Sequence, residues 1–406
     1  RTKTRSLLLL PVICSIMAAS RMVPIEHATE DDLYRTAEEV ITTISDNTTI
    51  FDPVREAEFP RFEESELKIG RILGRGGYCV VSEIVAFDLQ EESTKETNNG
   101  PGGGQLTRAT MAARAQRNGS ARYAIKVLGV NYRDNPGRFL QGILDLAIEM
   151  RFLAVVSHPH IIKMRAVSTK GSLEKGFFVV LDRLYDTLGV RIKKWQKTDQ
   201  KSRGITGCLT GGKRRQRQLM IDRLLTSCDL ASALTYLHSL NIIYRDLKPE
   251  NVGFDVRGDV KIFDFGLSKE LQEDDRMPDG TYKMTGFTGS LRYMAPEVAQ
   301  HMPYNLSADT FAFGMLFWHI LSLEPPYATF TVEMHQKFVV QQGYRPVLKA
   351  EWNESLCRVM KACWAGSKEM RPSMPEISEM LQKELNRLIP GYDPLDMSTK
   401  SNKTEN

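Results

Sequence analysis

The stretch IIYRDLKPEN, residues 242–251, places three polar groups directly behind a pair of isoleucines. The groups are the carboxylate of Asp246, the ammonium group of Lys248 and the amide of Asn251. Burying such groups costs free energy unless each of them finds a charged or hydrogen-bonding partner. The remainder of the chain must therefore supply those partners, or the stretch is an ordinary solvated loop.

Composition indicates a globular chain with reduced thiols. Of the 406 residues, 42% are hydrophobic and 26% are charged, as is typical of soluble globular proteins. The net charge of +4 is too small to indicate a nucleic-acid partner, and none is predicted. The six cysteines contain no CxxC pair, which favours a reducing compartment over a disulfide framework or a metal site.

The first 20 residues allow two interpretations. RTKTR followed by SLLLLPVICSIMAAS has the basic start, apolar run and small residues of a secretory signal. The alternative is an additional helix or a disordered leader. The apolar run is too short to span a bilayer and contains a proline, so no spanning membrane segment is predicted. The predicted location is the cytoplasm, a prediction that a genuine signal would overturn.

Apolar periodicity predicts strands early in the chain and helices late. Alternating or continuous apolar runs indicate strands at LKIGRIL, VVSEIVAF, YAIKVLGV and FFVVLD. Helical spacing occurs in RFLQGILDLAIEMRFLAVV and in DRLLTSCDLASALTYLHSL. This order predicts an α+β arrangement in two lobes.

Two polar segments interrupt that pattern. Residues 91–121 are rich in Gly, Asn, Ser and Thr and are predicted to form a flexible insertion. Residues 198–218 form a second insertion, whose KRRQR run is a solvated charge cluster or, alternatively, a nuclear-import or acidic-partner patch. The predicted parts are an N-terminal extension (1–59, disordered or a targeting leader), a small lobe (60–182), a large lobe (183–388) and a tail (389–406).

Phosphoryl transfer from ATP requires a close-fitting backbone, a cation, metal-binding groups and a base. The run LGRGGYCVV contains Gly74, Gly76 and Gly77 between two predicted strands, and glycine lets a backbone approach phosphate oxygens closely. A glycine cluster between strands is more often a tight turn. Cys79 also occupies the position of the third glycine in the pattern G-x-G-x-x-G, so this run alone does not decide the function.

Three charged residues outside these runs complete the candidate set. Lys126 lies in the predicted strand YAIKV, and Glu149 lies on the helix AIEM, where an ion pair would hold the lysine toward phosphates. Asp264 follows a predicted buried strand and precedes Phe and Gly, where its carboxylate can reach a metal ion. Each residue alone has an ordinary explanation, namely a surface lysine, a solvated glutamate and a chance tripeptide.

Taken together, the motifs resemble those of the eukaryotic protein kinases of serine/threonine type, closest in style to the tyrosine-kinase-like group. The resemblance extends from about Leu67 to Leu388, and its ordered motifs are GRGGYCVV, AIK, the helical Glu149, YRDLKPEN, DFG, APE, SADTFAFG and RP. It implies the bilobal protein kinase fold, with a small antiparallel-sheet lobe that has one regulatory helix and a large helical lobe. It also implies an ATP- and Mg²⁺-dependent enzyme that transfers the γ-phosphoryl group to Ser or Thr of a protein substrate.

The resemblance also assigns roles to the opening residues. Asp246 accepts or orients the proton of the substrate hydroxyl, and Lys248 neutralises charge on the transferred phosphoryl group. Asn251 and Asp264 hold Mg²⁺. Tyr244 stands where the family usually has His, a substitution that some active branches share.

The implied nucleotide site draws on three parts of the chain: the glycine-rich run, with Tyr78 at its tip, the Lys126–Glu149 pair and the end of the strand FFVVLD. Its residues are Gly74, Gly76, Gly77, Val81, Lys126, Leu181, Asp182 and Leu184. Arg183, between the last two, is expected beside the adenine as well.

The segment from Asp264 to Glu297 resembles the activation segment of these enzymes. Thr285 and Thr288 are the predicted phosphorylation sites, modified by an upstream kinase or by autophosphorylation, and such a phosphate would pair with Arg245. The family pattern also implies that Ser290 lies near the catalytic aspartate. Two structural contacts are expected elsewhere: an ion pair of Glu297 with Arg371, and backbone hydrogen bonds from the catalytic loop to Asp309.

Two alternatives belong to other functional classes. A pseudokinase scaffold would bind partners with little turnover, and only Cys79 and the two insertions favour it. A small-molecule kinase of similar fold is the other alternative. The APE motif and its arginine partner argue against it, because the activation segment forms a platform for a peptide.

Overall fold

The computed structural model describes residues 28–89, 107–131, 133–204 and 211–390. The chain divides into two compact units. The first contains the residues up to Ser157 together with Ile162–Arg183, and the second contains His158–Ile161 and the chain from Leu184 onward. The predicted leader at residues 1–20 and the tail from residue 391 lie outside the described residues.

A six-stranded sheet forms the centre of the first unit. The eight strands among the described residues of this unit are β1 (Arg61–Phe62), β2 (Leu67–Arg75), β3 (Cys79–Phe87), β4 (Gln116–Arg117), β5 (Ser120–Ala121), β6 (Tyr123–Leu128), β7 (Met164–Ser168) and β8 (Phe178–Asp182). The spatial order is β1-β7-β8-β6-β3-β2. Four of the five neighbouring pairs are antiparallel, as predicted, and only β1 runs parallel to its neighbour β7.

Side chains alternate between the two faces of each strand, and the apolar ones on one face form the core of this unit. Tyr123 and Ile125 on β6 and Phe178 and Val180 on β8 point to one face, since residues two apart share a face of a strand. Phe62 from β1 joins them with no exposed surface. The predicted β-branched and aromatic pattern therefore marks the buried face of the sheet.

Four α-helices lie in the described part of the first unit, where the resemblance implied one. They are α1 (Glu30–Asp46), α2 (Pro53–Ala57), α3 (Arg108–Ala113) and α4 (Pro136–Val155). α1 begins at a capping box formed by Thr29 and Asp32, and its buried residues Leu33, Ala37 and Val40 recur at helical spacing. That apolar stripe packs on α4, so this part of the predicted N-terminal extension is a folded part of the unit.

The predicted insertion at 91–121 differs from the structure in its second half. Residues 107–121 form α3 and the β4–β5 hairpin, while residues 90–106 lie outside the described part. Met111 of α3 is completely buried in the core, and Arg108 stacks over the Phe62 ring at 4.9 Å. These two contacts attach the segment to the core of the unit, and the average composition of residues 91–121 does not reveal either of them.

The second unit is mainly helical. Its helices are α5 (Leu188–Arg203), α6 (Gly212–Ser239), α7 (Pro296–Ala299), α8 (Ser307–Ser322), α9 (Val332–Met334), a π-helix (His335–Gln341), α10 (Glu354–Cys363) and α11 (Met374–Leu388). Its short strands are β9 (Asp186–Thr187), β10 (Ile242–Ile243), β11 (Val252–Phe254), β12 (Val260–Ile262) and β13 (Lys269–Glu270). β12, β11 and β9 form one sheet, and β10 pairs with β13. Every residue of α8 from Ala308 to Ser322 is buried, so this helix forms the centre of the unit.

The predicted insertion at 198–218 is largely helical. α5 continues to Arg203 and α6 begins at Gly212, so the described residues of the segment are mostly the ends of two helices. An Arg203–Asp199 ion pair one turn apart supports the end of α5. Polar composition here reflects exposed helix surface. Among the described helices, none is both long and apolar enough to cross a membrane.

Two buried histidines of the second unit make its stability sensitive to acid. Burial lowers the pKa of His319 and of His335 to about 4 in the folded chain. Among the described residues, none hydrogen-bonds either ring nitrogen of His335, which is 2% exposed in the π-helix. Unfolded histidine has a pKa of about 6.5, so below that pH the unfolded chain binds the additional protons.

We therefore expect the free energy of unfolding to fall as the pH drops from about 6.5 to about 4. Each histidine contributes up to about 1.4 kcal/mol per pH unit to this slope. The variant His335→Phe should show a shallower slope in urea titrations, and His301→Asn, which alters an exposed histidine, should keep that of the parent. Parallel slopes for the parent and His335→Phe would contradict this assignment.

Candidate active site

The loop after β10 is anchored by a buried aspartate. Asp309 of α8 is 1% exposed and accepts hydrogen bonds from the backbone N–H groups of Tyr244 (2.7 Å) and Arg245 (2.8 Å). His238 lies 3.1 Å from the same carboxylate. Arg245 has a φ of 67°, a strained conformation for a non-glycine residue that these bonds help to hold. The expected contact of Asp309 with this loop is present, and His238 is an additional support that the sequence did not indicate.

Asp246 is the centre of a hydrogen-bonded cluster. Its carboxylate is 2.5 Å from the Lys248 ammonium group and accepts hydrogen bonds from the Asn251 amide (2.9 Å) and the Ser290 hydroxyl (3.0 Å). Asp246 and Asn251 are each 3% exposed. The four groups satisfy the requirement for buried charges to be paired. The structure therefore brings together three residues of one loop with a hydroxyl from 44 residues further along the chain.

Asn251 and Asp264 lie at neighbouring positions of a hairpin. Val252 of β11 pairs with Ile262 of β12, and the Phe263 N–H donates to the Asn251 carbonyl at 3.1 Å, immediately before Asp264. The Asn251 side-chain nitrogen donates hydrogen bonds to Asp246. These bonds use the nitrogen of the amide and do not involve its oxygen. An amide oxygen and a carboxylate are oxygen ligands of the kind that Mg²⁺ prefers.

In the first unit, Lys126 and Glu149 form an ion pair. Lys126 lies on β6, and Glu149 lies six residues before the end of α4 with 1% of its surface exposed. A carboxylate this deeply buried requires a cationic partner, which the lysine supplies. The pairing suggested by the two motifs is present.

The glycine-rich run forms the turn between β2 and β3. The Gly76 N–H donates to the Cys79 carbonyl at 2.8 Å, and Gly74 lies open to solvent, opposite Val81 in the strand pairing. Tyr78, which was expected at the tip of the loop, is 5% exposed and packs against α4. Burial removes the apolar surface of its aromatic ring from water, which lowers the free energy of the folded chain.

The expected adenine-side residues have mixed surroundings. Leu181 is buried in β8, and the Asp182 carboxylate forms two hydrogen bonds of 2.7 Å with Arg165. Arg183 is 6% exposed and pairs with Glu83 at 3.0 Å. Leu184 packs on Gly253 in the second unit. The side chains of Asp182 and Arg183 are thus engaged in ion pairs within the protein. In these two residues, a nucleotide could form hydrogen bonds only with the backbone groups.

The segment after Asp264 is tied to the second unit by its polar residues. Arg245 lies 3.4 Å from the Thr285 hydroxyl, as expected for the arginine that faces this segment. Thr288 is 3% exposed and donates to the Thr285 carbonyl at 2.7 Å. Arg371 forms two hydrogen bonds with Glu297, of 2.6 and 2.9 Å, both residues being buried. The expected ion pair is therefore present.

Comparison with known proteins assigns the chain to a family. Residues 99–381 match the sequence model described as protein tyrosine and serine/threonine kinase, which covers well over half of the chain. The chain belongs to this protein kinase family. The predicted resemblance and the two-lobed kinase fold are confirmed.

Curated relatives of this kinase are similar over part of their length. Serine/threonine-protein kinase STY17 of Arabidopsis thaliana is 37% identical over 160 residues, which are 39% of this chain and 27% of that protein. Serine/threonine-protein kinase VIK of the same plant is 39% identical over 160 residues, 38% of this chain and 36% of VIK. Dual specificity protein kinase shkB of Dictyostelium discoideum is 35% identical over 158 residues, 38% of this chain and 23% of shkB. The matched part of these relatives is about a quarter to a third of their length.

Sequence reasoning missed two residues that contact the glycine-rich turn. Arg138 and Gly142 of α4 lie about 60 residues beyond the turn, outside every motif. Only one signal was available, namely a glycine within an otherwise regular helical pattern, which often has a packing reason.

Proposed function

We propose that this chain is an ATP- and Mg²⁺-dependent protein kinase that phosphorylates serine or threonine in protein substrates. The buried cluster around Asp246, in which Lys248, Asn251 and Ser290 all contact one carboxylate, is the observation that supports the proposal most. The hydrogen bonds of this cluster hold the Asp246 carboxylate in one position, where a substrate hydroxyl could approach it. The names of the relatives STY17 and VIK agree with the serine/threonine preference.

The site residues of the second unit would act on the hydroxyl and on the metal. Asp246 orients the substrate hydroxyl and accepts its proton, while Lys248 holds the carboxylate and offsets negative charge on the transferred group. Asn251 and Asp264 supply amide and carboxylate oxygens for Mg²⁺, and these donors fit that ion. Bound Mg·ATP supplies the γ-phosphoryl group, with its charge partly neutralised by the metal.

The first unit would bind the nucleotide. Lys126, held by Glu149, is placed to pair with phosphate oxygens, and the turn at Gly74–Gly77 offers backbone that can approach them closely. Val81, Leu181 and Leu184 are the proposed apolar contacts of the adenine.

Transfer of label from γ-labelled ATP to a generic basic protein and to the chain itself tests this proposal. We expect Mg²⁺-dependent transfer, with phosphoserine or phosphothreonine after acid hydrolysis of the product. Omitting Mg²⁺ is the control and should abolish the signal. If no label is transferred while ATP still raises the melting temperature, the chain is a nucleotide-binding scaffold and the proposed enzyme activity is wrong.

Thr285 is the proposed regulatory phosphorylation site, by an upstream kinase or by autophosphorylation. Its hydroxyl lies 3.4 Å from Arg245, so a phosphate there would gain a charge-assisted hydrogen bond. Thr288 remains the second candidate, but its hydroxyl is buried and hydrogen-bonded. Mass spectrometry of the chain before and after incubation with Mg·ATP would distinguish the two threonines.

The location of this kinase is proposed to be the cytoplasm, where ATP is available. The basic run at 213–217 begins α6, and its residues are mostly exposed, which leaves a nuclear-import role open to test. A fluorescent fusion of the full chain, compared with a variant in which the run is neutralised, would show either location directly.

A further inference from the structure

One arginine of α4 contacts both residues at the tip of the glycine-rich turn. The Nη2 atom of Arg138 donates to the Gly77 carbonyl at 2.6 Å, and its guanidinium lies over the Tyr78 ring at 5.6 Å from the centroid. Guanidinium is planar and can donate hydrogen bonds while it stacks on an aromatic face. Arg138 therefore holds backbone and side chain of the turn together.

Gly142 lies one helical turn beyond Arg138 and makes room for the tyrosine. A Cβ added to Gly142 would lie 2.9 Å from the Tyr78 Cβ and 2.5 Å from the Leu128 Cδ1, closer than real side chains approach. Glycine within a helix costs about 1 kcal/mol relative to alanine, so a close contact is a physical reason for its presence. The absence of a side chain at this position is what lets Tyr78 reach 5% exposure.

The backbone of the turn is restrained as well. The Gly129 N–H donates to the Tyr78 carbonyl at 2.7 Å, and the Gly76 N–H donates to the Cys79 carbonyl at 2.8 Å. These two hydrogen bonds restrain the backbone of the turn on both sides of Tyr78. Ordering a residue costs about 1–2 kcal/mol in conformational entropy. If the turn were unrestrained, this cost would reduce the free energy of nucleotide binding.

We propose that Arg138 and Gly142 form a docking site for Tyr78 that positions the glycine-rich turn for the phosphates of ATP. Both are positioning residues, since they act through the turn. Glu149 lies seven residues, or two helical turns, beyond Gly142 on the same face of α4. The helix α4 thus carries Glu149, which pairs with Lys126, and also the two residues that contact the glycine-rich turn. The inference rests on the proposed function, because it concerns the nucleotide of that reaction.

The first test measures the KM for ATP and kcat separately in three variants and one control variant. Arg138→Ala and Gly142→Ala are expected to raise the KM for ATP by about 5- to 30-fold, with kcat changed by less than about two-fold. Arg138→Lys should recover part of the loss, because lysine can donate to Gly77 but lacks the planar group for stacking. Arg117→Ala removes the same charge from an exposed position of β4 and should match the parent.

The second test needs no activity and follows the thiol of Cys79. This cysteine adjoins Tyr78 and is 8% exposed, so a released turn should expose it. We expect Arg138→Ala and Gly142→Ala to raise its alkylation rate at least about tenfold in the nucleotide-free chain, measured by peptide mass spectrometry. Cys363, which is completely buried in the second unit, reports global unfolding and should be alkylated no faster.

The outcomes separate this inference from the proposed function. If the KM for ATP and the Cys79 alkylation rate both stay at the parent values, Tyr78 is ordinary core packing and the docking site is refuted. A lowered KM would refute it too, since the contact would then oppose nucleotide binding. If the parent transfers no phosphate, the proposed function fails, and Cys79 alkylation together with calorimetric Mg·ATP binding still decides the role of Arg138.

Discussion

Replacing Asp246 with asparagine is expected to lower the rate of phosphoryl transfer by about 10²- to 10⁴-fold, the range found when a general base is removed. Asparagine has nearly the same shape and can keep a contact with Ser290, but it cannot accept the hydroxyl proton. It also removes the negative charge that Lys248 pairs with at 2.5 Å. The measurement is label transfer from γ-labelled ATP under single-turnover conditions.

A matched control isolates the role of this carboxylate. Asp222→Asn makes the same chemical change on α6, where the carboxylate accepts a hydrogen bond from Gln218 at 3.0 Å at the surface. It should transfer phosphate at the parent rate, and both variants should melt cooperatively. Undiminished transfer by Asp246→Asn would show that this residue is not the base.

Replacing Arg371 with alanine is expected to destabilise the second unit by about 3–5 kcal/mol, as is typical when one partner of a buried ion pair is removed. Glu297, which is 8% exposed, would lose two short hydrogen bonds and retain a buried charge. The guanidinium also donates to the carbonyls of Ser307 and Ala365 and lies over the Phe311 ring at 5.0 Å. Urea denaturation followed by far-UV circular dichroism measures the loss.

An exposed ion pair elsewhere in the chain provides a control for Arg371→Ala. Arg358 and Glu354 form an ion pair one helical turn apart on α10, with side chains 72% and 89% exposed. Arg358→Ala removes the same charge and should cost at most about 0.5 kcal/mol. Equal losses for Arg358→Ala and Arg371→Ala would mean that burial does not determine the contribution of the Glu297–Arg371 pair.

The part of the site that sequence predicted best is the part that is local in the chain. Asp246, Lys248 and Asn251 lie within six residues, and a short loop between an apolar pair and a hairpin leaves little freedom in how they meet. The Lys126–Glu149 and Glu297–Arg371 pairs are distant in sequence. They were expected because each belongs to an ordered motif of the family, not because any local pattern joins them.

What sequence could not predict depends on contacts between unrelated segments. The burial of Tyr78 requires a gap at Gly142, and no periodicity of either segment indicates that they meet. The structured half of the 91–121 insertion was missed because glycine and asparagine before residue 107 dominate its composition. The β1–β7 pairing makes the sheet mixed through a strand of two residues, which is too short for any alternation to be detected.

The contact of α1 with α4 makes the residues ahead of the sheet part of the first unit. The Tyr34 and Phe51 rings meet Phe139 and Phe152 edge-on, at centroid distances of 5.7 and 5.1 Å. Arg151 of α4 also reaches the Ser45 hydroxyl. A shortened chain that starts at the first long strand would leave this apolar side of α4 facing water, on the helix that presents Glu149. We therefore expect deletion of the residues ahead of β1 to destabilise α4, so that such a truncation would alter the first unit rather than remove a dispensable extension.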